Sequence, residues 1–156
     1  MSRIDHYYDP AAPTATRIVP AVTVAVRNQA GDILLQMRVD NELWALPGGV
    51  VDVGETVAQT VVREVKEETG LDVEHTRLIG IYSDPNHVIE YSNGEVRQQF
   101  SLCFEATCRA GSMAPSSEST EVRFVPVAEL ESFPMHPSMR LRIQHVLEDR
   151  SSPYIG

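Results

Sequence analysis

Several stretches of this chain have the hydrophobic pattern of strands, and two have a helical period. Val22, Val24 and Val26 alternate with smaller residues, so 21–27 predicts a strand. Asn28 to Asp32, with Gly31, reads as a turn. A second strand follows at 33–38, with Ile33, Leu35 and Met37 on one face and Leu34, Gln36 and Arg38 on the other. Residues 73–82 read as mostly extended, up to a break at Asp84-Pro85-Asn86. Two strands, 87–91 and 95–109, flank Ser92-Asn93-Gly94, and Asn-Gly between such runs signals a hairpin. Residues 110–119 are rich in Gly, Pro and Ser without a period, which predicts a surface loop. A short strand at 121–127 and a helical turn near 128–131 precede a helix at 137–148. That helix buries Met139, Ile143, Val146 and Leu147.

The helical interruption is more informative. Val57, Val61 and Val65 recur at helical spacing, with Val62 beside them. Thr56 is placed to cap the start and Gly70 to end it. Glu64, Glu67 and Glu68 share a face, and like charges at that spacing destabilise a helix. A divalent cation would offset the repulsion. Magnesium fits, because it takes oxygen ligands from a few carboxylates and from substrate phosphates. Leu46-Pro47-Gly48-Gly49 precedes the helix, and its two glycines allow backbone carbonyls or amides to approach a metal or phosphate. Arg63 is suited to hold Glu55 or a neighbouring glutamate in a fixed fork.

Composition narrows the partners. The chain has 156 residues, 22 acidic and 13 basic, for a net charge of −9. That balance disfavours a nucleic-acid polymer. It also makes a small anionic substrate implausible unless bound metal reverses the local field. No apolar run is long enough to span a membrane. Residues 1–15 lack the pattern of a signal peptide, so a cytoplasmic location is expected. Cys103 and Cys108 share a strand on opposite faces, which fits two free thiols. Cys108 shares parity with Phe104 and Ala106 and is expected in the core.

From Gly49 to Leu71 the chain reads G-x5-E-x7-R-E-U-x-E-E-x-G-U, with U an aliphatic residue. All nine specified positions are met: Gly49, Glu55, Arg63, Glu64, Val65, Glu67, Glu68, Gly70 and Leu71. In this stretch the chain resembles the Nudix hydrolase family. The resemblance implies an α/β fold, a Nudix-type α/β/α sandwich with a mixed β-sheet. It implies hydrolysis of a phosphoanhydride in a nucleoside diphosphate linked to another group. Glu64, Glu67 and Glu68 are the implied metal ligands, with the Gly49 carbonyl as an additional one and Glu55 and Arg63 as support. The cofactor is Mg2+, with Mn2+ as the alternative. Glu64 is one candidate base, and Glu118 and Glu121, at the end of the irregular loop, are others.

Residues 1–17, with Pro10 and Pro13, predict an irregular arm that packs on its own domain or on a neighbour. Residues 18–150 form one domain, and 151–156 a tail. Arg38 and Gln36 share a face and are candidates to reach phosphates. Arg97 and Gln99, beside the hairpin, are candidates to touch substrate. Trp44 is either a platform for a base or part of the core, and core is favoured. Tyr82, Asp84 and His87 flank a break that could border the pocket.

Subtype markers are absent. Pro85 is near, but not at, the proline position of ADP-ribose hydrolases of this family. Tyr82 is too early and Tyr91 too late for the dinucleoside polyphosphate spacing. A nucleotide sugar such as ADP-ribose, or a nucleoside triphosphate, is the leading small-molecule substrate, and an 8-oxo-dGTP-type sanitising activity is the alternative. A nucleotide-sensing module without turnover is the reading of another class. It ranks lower because every signature glutamate is present. The family habit and the N-terminal arm make a homodimer reasonable.

Overall fold

The computed structural model describes residues 2–156. Among the described residues, ten strands make one sheet. They are β1 (Arg3–Tyr7), β2 (Arg17–Arg27), β3 (Ile33–Arg38), β4 (Trp44–Ala45), β5 (Gly48–Val50), β6 (Leu71–Tyr82), β7 (His87–Tyr91), β8 (Val96–Gly111), β9 (Ser119–Val125) and β10 (Tyr154–Ile155). Helix α1 (Val57–Thr69) lies between β5 and β6, and α2 (Pro137–Leu147) follows a 3-10 helix at Val127–Ser132.

The spine of the sheet is the parallel pairing of β2 with β8, from Arg17 opposite Arg97 to Arg27 opposite Thr107. Parallel strands are usually covered on both faces, and β2 has the residues for it. Val22, Val24 and Val26 face α1 together with Leu34, Val61 and Val65. Ala25 faces the other way, with Ile33, Leu35, Tyr82, Cys103 and Ile143 under α2. Helix, mixed sheet and helix therefore form the expected three layers. Each valine buried by α1 contributes about 1.5–3 kcal/mol, which offsets the charge repulsion on the helix's other side.

Several expectations are corrected. The N-terminal arm is not irregular throughout, since β1 pairs antiparallel with β7 from Arg3–Tyr91 to Tyr7–His87. Strand β2 begins at Arg17 rather than at 21, because its early residues find partners on β8. The loop expected at 110–119 is shortened, because β8 runs to Gly111 and β9 starts at Ser119. The tail carries β10, which pairs in parallel with β6. Val62 is 40% exposed, since the helix turns it away from the sheet, and Leu147 is 41% exposed at the end of α2. Cys103 is the fully buried thiol. Cys108 is half-buried, because β8 reaches the edge of the α1 layer there.

Candidate functional site

The site is built where β5 hands the chain to α1. Strand β5 lies antiparallel to β2, with Val22 opposite Gly49 and Thr23 opposite Gly48. A side chain at Gly48 would meet backbone, and one at Gly49 would displace the Glu64 carboxylate. A Cβ on Gly48 would come within 2.1 Å of the Val22 carbonyl oxygen, and one on Gly49 within 2.4 Å of the Glu64 carboxyl carbon. The glycines thus let backbone and carboxylate approach closely.

Helix α1 then starts with a capping box. The Thr56 hydroxyl accepts from the Gln59 amide, and the Gln59 side chain accepts from the Thr56 amide. The helix ends at Gly70, whose φ of 78° is left-handed. Between those ends Arg63 ties the acidic face together. Its guanidinium donates to Glu55 at 2.5 and 2.9 Å, to Glu64 at 2.8 Å, to Glu67 at 3.1 Å and to the Val50 carbonyl at 3.1 Å. The Arg63 hydrogen bonds hold the Glu55 carboxyl down at about 2, so Glu55 stays ionised.

The three helix glutamates occupy different environments. The Glu67 side chain is 60% exposed. Glu64 is half-buried against Gly49, and burial raises its pKa despite Arg63. Glu68 is 6% exposed. It accepts from Gln36 Nε2 at 2.8 Å and from the Gly48 amide at 3.0 Å. Burial pushes the Glu68 carboxyl up to about 7 against those hydrogen bonds, with Glu64 and Glu118 adding repulsion.

These residues fit a hard divalent cation. The Glu64 carboxylate lies against Gly49 and the Glu68 carboxylate against the Gly48 amide, where the backbone carries no side chains. A buried acceptor, Gln36 Oε1, lacks a partner beside them. Oxygen donors with several open positions are what magnesium takes.

A cleft of about 640 Å3 opens in front of Glu64 and Glu68. Arg3, Arg38, Arg97, Gln99 and Glu118 line it. Arg38 is braced by Asp40 at 2.6 Å, and Arg97 by Glu95 at 2.8 Å and by the Tyr91 ring at 4.5 Å. Basic groups therefore share the opening with the helix glutamates, an arrangement suited to an anion held between a metal and guanidinium groups.

Other expected site residues lie elsewhere. Glu121 is on β9, paired with Arg123 on the strand face away from Val122 and α1, so it does not share the cleft with Glu118. Trp44 is 5% exposed and packs edge-on against Phe133, so its faces are closed to a base. Gln36 is 3% exposed and is committed to Glu68, not to substrate. Asp84 and His87 border a separate cavity with Tyr82. Arg3 was missed, because its place depends on β1 pairing with β7. The alternation of Arg3, Ile4, Asp5, His6 and Tyr7 was the available signal.

Comparison with known proteins gives the following similarities. The NUDIX domain model matches residues 17–146. A putative 8-oxo-dGTP diphosphatase of Bacillus subtilis is 33% identical over 77% of this chain and 74% of its own length. An ADP-ribose pyrophosphatase of Methanocaldococcus jannaschii is 48% identical over 43% of this chain and 42% of its own. The crystal structure of an ADP-ribose pyrophosphatase from Streptococcus suis superposes with a TM-score of 0.66 at 25% identity, covering 88% of this chain and 98% of that one.

Proposed function

We infer the function from one premise: the chain belongs to the Nudix hydrolase family. It is a pyrophosphohydrolase, and we propose that its substrate is a nucleoside diphosphate linked to a second group. A nucleotide sugar of the ADP-ribose type, or a nucleoside triphosphate, fits this description. The carrying observation is the cleft itself, which Glu64, Glu68, Gly48 and Gly49 line together with Arg38 and Arg97. Relatives bearing the names ADP-ribose pyrophosphatase and 8-oxo-dGTP diphosphatase support both branches.

In this reading Glu64, Glu67, Glu68 and the Gly49 carbonyl hold magnesium. A divalent ion held by these residues would neutralise phosphate charge and make the attacking water more acidic. Arg38 and Arg97, which line the same cleft, orient the anhydride and hold its remaining charge. Glu118 lines the cleft and has no ion-pair partner among the described residues, whereas Glu64 is tied to Arg63. Glu118 is therefore assigned to take the proton from the attacking water. Gln36 and Gly48 position Glu68. The homodimer expected from the sequence is retained, and sedimentation velocity at micromolar concentration tests it.

A substrate panel with magnesium decides between the branches. Two nucleoside or sugar monophosphates would identify a nucleotide sugar, and pyrophosphate with a nucleoside monophosphate would identify a triphosphate. Turnover of oxidised triphosphates in preference to normal ones would select the sanitising activity. Metal-dependent binding without turnover of any member would remove the hydrolytic reading in favour of sensing.

A further inference from the structure

Helix α2 carries an arginine into the interior on the face of the sheet opposite α1. Arg142 is the largest fully buried side chain, 1% exposed. No carboxylate among the described residues is within salt-bridge distance of it. Nη1 donates to the Ser138 carbonyl at 2.8 Å, within its own helix. Nε is buried with no partner. The Tyr82 ring sits 4.4 Å from the guanidinium carbon and satisfies none of its N–H groups. A buried cation with unmet donors is costly, and the surroundings normally supply an acceptor.

Two cavities meet at this guanidinium. One, of about 20 Å3, is bounded by Arg3, His87, His136 and Ser138, room for about one or two waters. The other, of about 80 Å3, is walled by Tyr7, Tyr8, Tyr82, Leu141 and Tyr154. Gln99 borders both and also the catalytic cleft.

The ligand atoms of Asp5, His87 and His136 lie within 4.8 Å of one another, close enough to suggest a metal. The hydrogen bonds argue against a cation there. His136 Nδ1 accepts the Ser138 amide at 3.2 Å, which leaves the proton on Nε2. His87 Nε2 donates to Asp5 at 2.9 Å, and Arg3 adds a guanidinium 3.2 Å from the same carboxylate. Asp5 is thus already committed, and Asp84 at the rim is engaged by Tyr8 and Asn86. The Gly156 carbonyl oxygen beside the same cavity accepts from the Ser83 amide, so these acceptors are engaged elsewhere and Arg142 Nε is left unmatched.

We propose that Arg142 is the floor of a binding site for a small oxyanion, a phosphate or a carboxylate of similar size, in the tyrosine-walled cavity. The free edge of the guanidinium would donate to the anion, and Tyr7 and Tyr8 would shield it from water. Charge-assisted hydrogen bonds of this kind are strongest where solvent is excluded. The site is separate from the cleft that holds the scissile anhydride.

The test titrates the full chain with inorganic phosphate in chelator, where the acidic cleft has no metal to hold phosphate. Calorimetry and thermal shift should show one saturable site. Arg142→Met should weaken it about tenfold or more. Leu141→Phe fills the cavity while leaving Arg142 in place, and should abolish binding even if Arg142→Met is poorly folded. Absence of saturable binding would overturn the proposal. So would binding that survives Leu141→Phe, or that is lost instead in Arg97→Met. With magnesium and substrate present, inhibition by phosphate separates two sources of the anion. Competitive inhibition, with a raised KM in Leu141→Phe, identifies an anionic end of the substrate. Noncompetitive inhibition, relieved in Leu141→Phe, identifies a free effector. Failure of the hydrolytic reading would leave the metal-free titration untouched.

Discussion

Gln36 on β3 donates to the Glu68 carboxylate on α1 through a 2.8 Å hydrogen bond that joins sheet to helix. The bond is buried at both ends, with Gln36 3% and Glu68 6% exposed. It fixes one carboxylate oxygen that would otherwise rotate, and the Gly48 amide fixes the same oxygen from the loop. Gln36 therefore acts by positioning a metal ligand, not by touching substrate.

Gln36→Leu keeps the side chain's bulk and removes the donor. Magnesium affinity should fall about 10–100-fold, the usual effect of losing a group that orients a ligand. At saturating magnesium, KM for substrate should stay near its original value. Metal titration of the rate reads this directly, and a raised substrate KM with unchanged metal affinity would return Gln36 to substrate binding.

Substitution of the helix glutamates should separate activity from folding. Glu64→Gln, Glu67→Gln and Glu68→Gln should each lower kcat by about a hundredfold or more. Glu67 is exposed, so Glu67→Gln should change stability by less than about 0.5 kcal/mol. Steady-state rates and chemical denaturation of the same samples make the comparison. A rate near normal in any of the three would remove that residue from the metal site.

Stability of the metal-free protein should fall as pH rises through neutrality. The folded Glu68 carboxyl titrates at about 7, above its ordinary 4.5. Between those values the folded state holds a proton that the unfolded state has released, so ν_N exceeds ν_U and stability declines with pH. The Glu68 contribution is complete below 4.5 and is lost as pH passes about 7. Melting curves from about pH 5 to about pH 8 in chelator should show a steeper decline for the wild-type chain than for Glu68→Gln. Magnesium should reverse the loss at the alkaline end, since it favours the ionised carboxylate. Parallel slopes for the two proteins would contradict the burial argument.

Gly49→Ala should abolish most activity with little loss of fold. The new methyl would stand 2.4 Å from the Glu64 carboxyl carbon, so Glu64 must swing aside. Gly48→Ala is more damaging, because its methyl would meet the Val22 backbone at 2.1 Å and force β5 from β2. Circular dichroism and activity on both variants should show the first folded and inactive, the second destabilised. Normal turnover in Gly49→Ala would show that Glu64 has freedom to spare.

The helix and its chemistry were legible in the chain because their determinants are local. Thr56 caps the first turn of α1, Gly70 takes the left-handed φ that ends it, and helical spacing brings Arg63 to Glu67. Alternation likewise placed Val22, Val24 and Val26 on one face of β2. Residues whose roles come from distant partners were not legible. Gln36 and Glu68 are 32 positions apart, and Arg3 reaches the cleft only through the pairing of β1 with β7. Cys108 shows the same limit, since burial depends on which layer covers each sheet face. Sequence spacing determined which carboxylates could meet. The tertiary structure decided how each is solvated, because burial and hydrogen bonding differ across three glutamates that share a single helix.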